Sequence, residues 1–393
     1  MKVLVLGCGE MGETAIQDLY EFGPFDEIVV GTRSVAHARG VLGRLNGRPV
    51  RVSAEEIDVK SEAALAGLMA GSAVVVNCAG PNYQNEVPVA RAALRAKVNL
   101  VDINDDYETT YEMLALDGEA KAAGIAVLLG LGASPGVNNV LVRAAADQLE
   151  TVDEIHTAWV MSATDPGGPA LSKHLIHSLS GRALTFQDGE MIEVQSFVDG
   201  RERIAFPAPV GEQDVFHIGH PEPITLARTF PDIRYADDKA TFVPAAVNDL
   251  IVDLGRLVRE SPEPLRVDGR LVDPMEFAAH YLQRRCRGTR VPKDGALRVE
   301  VLGQRDGRPR RVVFSTAGRL TQGTGIPAAV GAAMLATGRI ESTGVLCPEA
   351  AIEAHEFLYE LFTRRDVAKL NGWAEDVPQG VSRAAAERVN VRV

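Results

Sequence analysis

Short apolar runs alternate with helix-like patterns over the first third of the chain. Residues 3–6, 27–30, 50–54, 72–77, 98–103 and 125–131 read as strands, with 72–77 (SAVVVN) the strongest and 50–54 the weakest. Residues 11–20, 36–45, 62–69, 87–96 and 109–123 read as the helices between them. Continuous Val/Ile/Leu runs have no polar face, so both sides of each strand must be covered. That is the pattern of a parallel sheet with helices on both faces. The expected fold class is α/β, a doubly wound Rossmann domain over residues 1–132.

The pattern changes at Gly132-Ala133-Ser134-Pro135-Gly136. Beyond it the strands lengthen and alternate. Asp188-Gly189, Asp199-Gly200, Asp268-Gly269 and Asp306-Gly307 are hairpin signals, because the favoured two-residue turns need residues that accept positive φ. Helices are expected at 168–180, 245–260 and 274–287. This predicts a mixed α/β domain on a largely antiparallel sheet, residues 133–324. A small-residue helix (325–336, GIPAAVGAAMLA) and an amphipathic one (348–365) are expected to return and complete the first domain, within 325–370. Residues 371–393 read as a polar, frayed tail.

Composition narrows the function classes. A chain of 393 residues exceeds one simple core, which agrees with two domains. The net charge of −12 repels polyanions, so no nucleic acid is expected as a partner. Cys8, Cys78, Cys286 and Cys347 form no CxxC pair, and no apolar run reaches the roughly 20 residues of a membrane span. Met1 leads directly into the first strand with no signal-peptide pattern. The expectation is a reduced, cytoplasmic protein without a membrane partner.

Gly7-Cys8-Gly9-Glu10-Met11-Gly12 is GxGxxG placed between the first strand and first helix. Gly7 permits the tight turn, Gly9 the approach of a pyrophosphate, and Gly12 close packing of helix on strand. Glu10 and Met11 open the helix whose N–H groups meet the pyrophosphate. An NAD site usually places an acid after the second strand, to bind the ribose 2′-hydroxyl. Thr32, Arg33 and Ser34 stand there instead. They suit a 2′-phosphate, with Arg33 as its charge-assisted donor, so the expected cofactor is NADP, with NAD as the alternative. Asn77, Cys78, Ala79 and Gly80 end the fourth strand, where small residues leave room for the nicotinamide ribose. Asn77 could equally cap the following turn, and Cys78 reads as small and apolar.

With these residues in place, the chain resembles the saccharopine reductase and lysine 6-dehydrogenase family. The resemblance rests on KVLVLGCGEMGETA, VVVNCAGP, VNLVDINDD, GLGASPGVNN (130–139), FHIGHPEPITLARTFP (216–231) and GRIESTGVLCPE (338–349), in family order. It implies an NAD(P)-binding domain completed by C-terminal helices, and an inserted α/β domain that binds substrate and often pairs subunits as a homodimer. It implies redox chemistry at a C–N bond: oxidation of lysine at its side-chain amine, or formation and cleavage of secondary amines such as saccharopine and carboxynorspermidine. Arg33 departs from the acid of the lysine 6-dehydrogenases. It moves the reading from NAD-linked deamination of lysine toward NADPH-dependent imine reduction. A cofactor-binding sensor or scaffold without catalysis is the alternative of another class.

Such chemistry needs an acid or base at the nitrogen and cations for substrate carboxylates. Asp102, ending the fifth strand, is the first candidate for acid/base work, with Asp105 and Asp106 better placed to cap the next helix. His217 and His220 are further candidates for proton transfer. Ser134, Pro135 and Gly136 suit a helix N-terminus that takes a substrate carboxylate, or a simple cap. His174 and His177, three apart on one helix, are candidates for facing the substrate, and Arg182 and Arg228 for its carboxylate. No carboxylate-rich pattern accompanies the histidines in sequence, so no metal is expected.

Overall fold

The computed structural model describes residues 1–165, 168–287 and 289–378. The chain divides into two compact units: residues 1–137 with 321–365, and residues 138–320 with the described residues from 366 on.

The first unit is built on β1 (Lys2–Leu6), β2 (Glu27–Thr32), β3 (Arg51–Glu56), β4 (Val74–Asn77), β5 (Asn99–Asp102), β6 (Ala126–Leu128) and β17 (Gly344–Leu346). All are parallel, in the order β3-β2-β1-β4-β5-β6-β17. The order reverses between β1 and β4, the switch point where open α/β sheets bind ligands. Val3, Leu4, Val5, Leu6, Val74, Val75 and Val76 are all fully buried. These unbroken apolar runs therefore do what their pattern requires, and helices cover both faces.

Helix Leu320–Ala336 packs on helix Glu10–Phe22 through its small residues. A Cβ on Gly325 would lie 2.6 Å from the Met11 carbonyl oxygen and 2.8 Å from Thr14 Cβ. Only glycine allows this approach. Asp18 and Arg365 then join the first helix to the far end of the returning segment, with Arg365 Nε 2.8 Å from Asp18 Oδ2.

The second unit carries a mixed sheet: β7 (Thr151–Ser162), β8 (Arg182–Gln187), β9 (Glu190–Gln195), β10 (Glu202–Ala205), β11 (Glu212–His217), β12 (Tyr235–Val243), β15 (Gly295–Arg305), β16 (Arg308–Gly318) and β18 (Lys369–Asp376). Its main path runs β10-β11-β12-β7-β15-β16-β18, with β7 parallel to β12 and the other pairings antiparallel. A separate hairpin joins β13 (Leu265–Val267) and β14 (Arg270–Val272). Helices Pro169–Ser178, Ala246–Glu260 and Pro274–Cys286 cover one face of the sheet, on Trp159, Met161 and Phe242. Asp188-Gly189, Asp268-Gly269 and Asp306-Gly307 all take positive φ at both residues and close hairpins.

Four expectations need correction. Helix 109–123 is broken into Tyr107–Ala115 and Asp117–Ala123. Asp117 is drawn outward, its carboxylate accepting the Val345 N–H at 3.0 Å. Helix 348–365 is broken into Pro348–Ala351, Ala354–Tyr359 and a wide final turn, Glu360–Arg364. Glu353 restarts it by accepting the His355 and Glu356 N–H groups. Asp199-Gly200 closes no two-residue hairpin, because Asp199 Oδ2 takes the Gln195 N–H at 2.7 Å and its carbonyl takes the His217 N–H at 3.1 Å. Residues 371–376 of the expected tail belong to β18, and residues 379–393 lie outside the described residues. A polar segment can form this edge strand because its partners are charged: Glu375 pairs with Arg311 and Asp376 with Arg310. Among the described residues no helix is long and apolar enough to cross a membrane.

Candidate active site

The loop after β1 is shaped by its glycines. Gly7 has φ +85°, and a Cβ there would lie 2.7 Å from the Cys78 carbonyl oxygen. A side chain would thus pry the β1 and β4 loops apart at the switch point. A Cβ on Gly12 would strike the Gly7 carbonyl. Gly9 caps helix Glu10–Phe22, no side chain caps that terminus, and the space beside Gly9 is open. Its N-terminal turn and positive dipole end fit a pyrophosphate. Glu10 is exposed and Met11 half-buried in the first turn. After β2, Thr32 Oγ1 accepts the Ser34 N–H at 3.2 Å. Arg33 is exposed and makes no ion pair among the described residues, so its guanidinium is available to a phosphate. The residues present fit a phosphorylated dinucleotide.

At the ends of β4 and β5 the side chains hold one another. Asn77 Oδ1 accepts the Ala79 N–H at 3.1 Å, and Asn77 Nδ2 donates to Glu86 Oε2 at 3.0 Å. Asn77 is therefore a turn cap as well as a neighbour of Cys78, Ala79 and Gly80, which are half-buried. Burial, with Glu86 and Asp102 nearby, pushes the Cys78 thiol up to about 12, so it stays protonated. Asp102 is fully buried, and its Oδ1 accepts the N–H groups of Asn104 at 2.9 Å and Gly130 at 2.7 Å. Burial raises it to about 6, although both backbone donors pull the other way. This geometry suits holding loops better than exchanging protons with a substrate. Asp106 caps the next helix through the Thr109 N–H at 2.9 Å.

Gly136, at φ +117°, turns the chain so that Gly132 N–H donates to the Pro135 carbonyl at 2.9 Å and Val137 N–H to that of Gly132 at 2.9 Å. The helix begins at Val137, three residues past Ser134. Ser134 is half-buried, and Pro135 and Gly136 are buried.

In the second unit the histidines separate. His217 is in register with Lys239, on the face of β12 that carries Asp237. There Asp237 Oδ1 lies 2.9 Å from His156 Nδ1, and Lys239 Nζ lies 3.2 Å from Asp237 Oδ2 and 3.0 Å from Glu202. Burial opposes the charge of Asp237, but Lys239 and His156 hold it well below the usual carboxylate range.

His220 belongs to the opposite face. Its Nδ1 lies 3.4 Å from Glu222 Oε2 and 3.5 Å from Asp238 Oδ2. Asp238 is fixed by Thr157 Oγ1 at 2.6 Å and Trp159 Nε1 at 3.0 Å. Burial and then Glu222 push the Asp238 carboxyl up, against the pull of His220. The expectation that no carboxylates accompany the histidines is thus corrected: the fold brings ligand atoms of His220, Glu222 and Asp238 within 4.8 Å of one another. Helix Pro169–Ser178 turns His174 inward, its ring 6.4 Å from that of His220, and leaves His177 exposed. Arg182 is exposed and paired with Glu193 at 3.0 Å. Arg228 is exposed with no ion pair among the described residues.

Sequence reasoning passed over Glu86, Glu222, Asp238, Lys239 and His156. One signal was available: Asp237-Asp238-Lys239 lies inside a segment otherwise fit for a buried strand. Three consecutive charges there must be paired across both faces.

Comparison with known proteins agrees with this geometry. Residues 3–128 match the saccharopine dehydrogenase NADP binding domain, and residues 132–365 match the saccharopine dehydrogenase C-terminal domain. Carboxyaminopropylagmatine dehydrogenase of Synechocystis sp. is 23% identical over 370 residues, covering 88% of this chain and 91% of that protein. Carboxynorspermidine synthase of Vibrio cholerae is 24% identical over 365 residues, covering 79% and 80%. The solved apo structure of saccharopine dehydrogenase (L-Glu forming) from Saccharomyces cerevisiae has a similar fold. Its TM-score is 0.66 at 15% identity, covering 96% of this chain and 100% of that chain.

Proposed function

We propose, from the premise that this chain belongs to the saccharopine dehydrogenase family, that it is an NADP(H)-preferring reductase of imines formed between an amine and a carbonyl compound. The chain is an NAD(P)-dependent oxidoreductase acting on amine or amino-acid C–N bonds. The observation that carries the finer reading is Arg33, exposed and without an ion pair among the described residues, where an NAD site would hold an acid. The names of the two relatives, a carboxyaminopropylagmatine dehydrogenase and a carboxynorspermidine synthase, support a carboxylated polyamine as the product.

In this reading a nicotinamide cofactor supplies the hydride that the imine carbon takes up. The chain's own residues do the rest. Gly7, Gly9 and Gly12 admit the pyrophosphate, with Glu10 and Met11 opening the helix beneath it. Thr32, Arg33 and Ser34 hold the 2′-phosphate. Asn77, Cys78, Ala79 and Gly80 keep the nicotinamide end uncrowded, and Asp102 positions it. His220, backed by Asp238 and Glu222, supplies the proton to the nitrogen as it becomes an amine. His174 stands beside it, and Ser134, Pro135, Gly136 and Arg228 are available to the substrate carboxylate. The reading includes a cytoplasmic homodimer, and light scattering on the purified protein tests the stoichiometry.

The cofactor assignment has a direct test. Arg33→Ala is expected to raise KM for NADPH by about 10- to 100-fold, the worth of a charge-assisted hydrogen bond. KM for NADH should change by less than about twofold, since NADH has no 2′-phosphate. Equal effects on both cofactors, or none, would remove Arg33 from the site.

A further inference from the structure

We propose that Glu86 is a positioning residue for the redox reaction: with Asp102 it forms a buried carboxyl pair that shares one proton and ties together three loops at the carboxyl edge of the parallel sheet. The proposal rests on reading that edge as the cofactor's, and deepens it.

The ties are individual hydrogen bonds. Through Asn77, Glu86 Oε2 holds the Ala79 N–H in the loop after β4, at 3.0 and 3.1 Å. Asp102 Oδ1 holds Asn104 after β5 at 2.9 Å and Gly130 after β6 at 2.7 Å. Helix Asn82–Ala96 adds Asn85 Nδ2 to the Ala79 carbonyl at 3.0 Å and Asn82 Nδ2 to Asp105 Oδ1 at 2.6 Å. The remaining oxygens, Glu86 Oε1 and Asp102 Oδ2, are buried and receive no donor from any described residue, which leaves both open to a proton held between the two carboxyls.

Glu86 is 1% exposed and Asp102 not at all. Two ionised carboxylates cannot stay in contact at such burial. A proton between them turns the repulsion into a hydrogen bond. The titratable groups that bear on the pair from neighbouring segments are Asp105, after β5, and the protonated Cys78, after β4; neither supplies a compensating positive charge. Burial, and then each other's charge, keep Glu86 well above the usual carboxylate range, while Asp102 lies at about 6.

The sign of the pH dependence follows. Both carboxyls titrate higher in the folded chain than in the unfolded one. The stability given by the doubly protonated pair is therefore complete below the ordinary carboxylate range and falls as pH rises through about 6, where the first proton leaves and the second is shared. Glu86→Gln keeps an acceptor for Asn77 and gives Asp102 a permanent donor, so it should flatten this slope.

The test uses the cofactor-free protein first. Infrared difference spectra against Glu86→Gln should show a protonated-carboxyl band in the parent near neutral pH that the variant has lost. The unfolding midpoint of the parent should fall relative to that of Glu86→Gln as pH rises through about 6. Glu86→Ala should raise the dissociation constant of NADPH about tenfold, the cost of one lost neutral hydrogen bond at the held loop, while KM for the amine stays within about twofold. If Glu86→Ala does not fold, the glutamine variant decides alone. An unchanged band, parallel pH slopes, or unaltered NADPH affinity in a folded Glu86→Ala protein would overturn the proposal. Arg33→Ala reads cofactor binding independently: no effect there, with the band lost in Glu86→Gln, would fault the cofactor reading and spare the pair.

Discussion

Replacing His220 with alanine is expected to lower kcat by about 100- to 10,000-fold, the usual worth of a positioned acid or base. The dissociation constant of the nicotinamide cofactor should change by less than about twofold, because no phosphate contact is lost. The imidazole has what such a role requires. It is 3% exposed, so water does not compete for its proton. Glu222 and Asp238 lie 3.4 and 3.5 Å from its Nδ1, so two carboxyl groups flank the ring. Thr157 and Trp159 fix Asp238, so the acceptor side is rigid. Asp238→Asn removes the titratable carboxyl while keeping the shape, and should cost a smaller factor in kcat, with a shifted pH profile. Steady-state rates and cofactor titrations on the two variants give the answer. A His220→Ala enzyme within about threefold of the parent would exclude His220 and redirect attention to His217, which belongs to the Asp237 face of the same strand.

What the sequence revealed, and what it concealed, follows from the range of the interactions. The parallel sheet was legible because each strand carries its own signal: a segment such as Val74-Val75-Val76 can be stable only when covered on both faces. The glycine loop was legible because its three residues are local. The three Asp-Gly hairpins were legible for the same reason. Breaks inside helices were not, since Val345 draws out Asp117 from 228 positions away. The chemistry of the second unit was half legible. His220 stood out as a residue type, but its carboxylates come from a helix start and from a neighbouring strand. His217 and His220 are close in sequence and belong to opposite faces of the sheet: His217 ends β11 in register with Lys239, while His220, beyond the strand, reaches Asp238. Glu86 was hidden just ahead of the helix expected at 87–96, which in the structure begins at Asn82, and only the sheet order brings it to Asp102.

Arg365→Met should destabilise the protein by about 3–5 kcal/mol, the penalty for leaving a buried charge without its partner. Arg365 closes the returning segment onto the nucleotide-binding unit. Its Nε lies 2.8 Å from Asp18 Oδ2, its guanidinium sits 4.7 Å over the Phe22 ring, and Glu360 takes its other edge. The side chains of Asp18 and Arg365 are only 4% and 5% exposed. Burial already pushes Asp18 up, and the Arg365 hydrogen bonds offset that only in part. Removing the arginine leaves Asp18 without its counter-ion beside Glu360, which keeps Arg364 at 3.0 Å. Adding Asp18→Leu to Arg365→Met should therefore recover part of the loss, since an apolar pair carries no desolvation penalty. Denaturant midpoints of the single and double variants measure both steps. The consequence for function is specific: Asp18 and Phe22 lie on the helix whose first turn is proposed to meet the pyrophosphate. A loosened far end should weaken NADPH and NADH alike, unlike the loss at Arg33, which should be felt through the 2′-phosphate alone. A single variant costing less than about 1 kcal/mol would show that water reaches the pair and that the small-residue contact at Gly325 holds the segment without it.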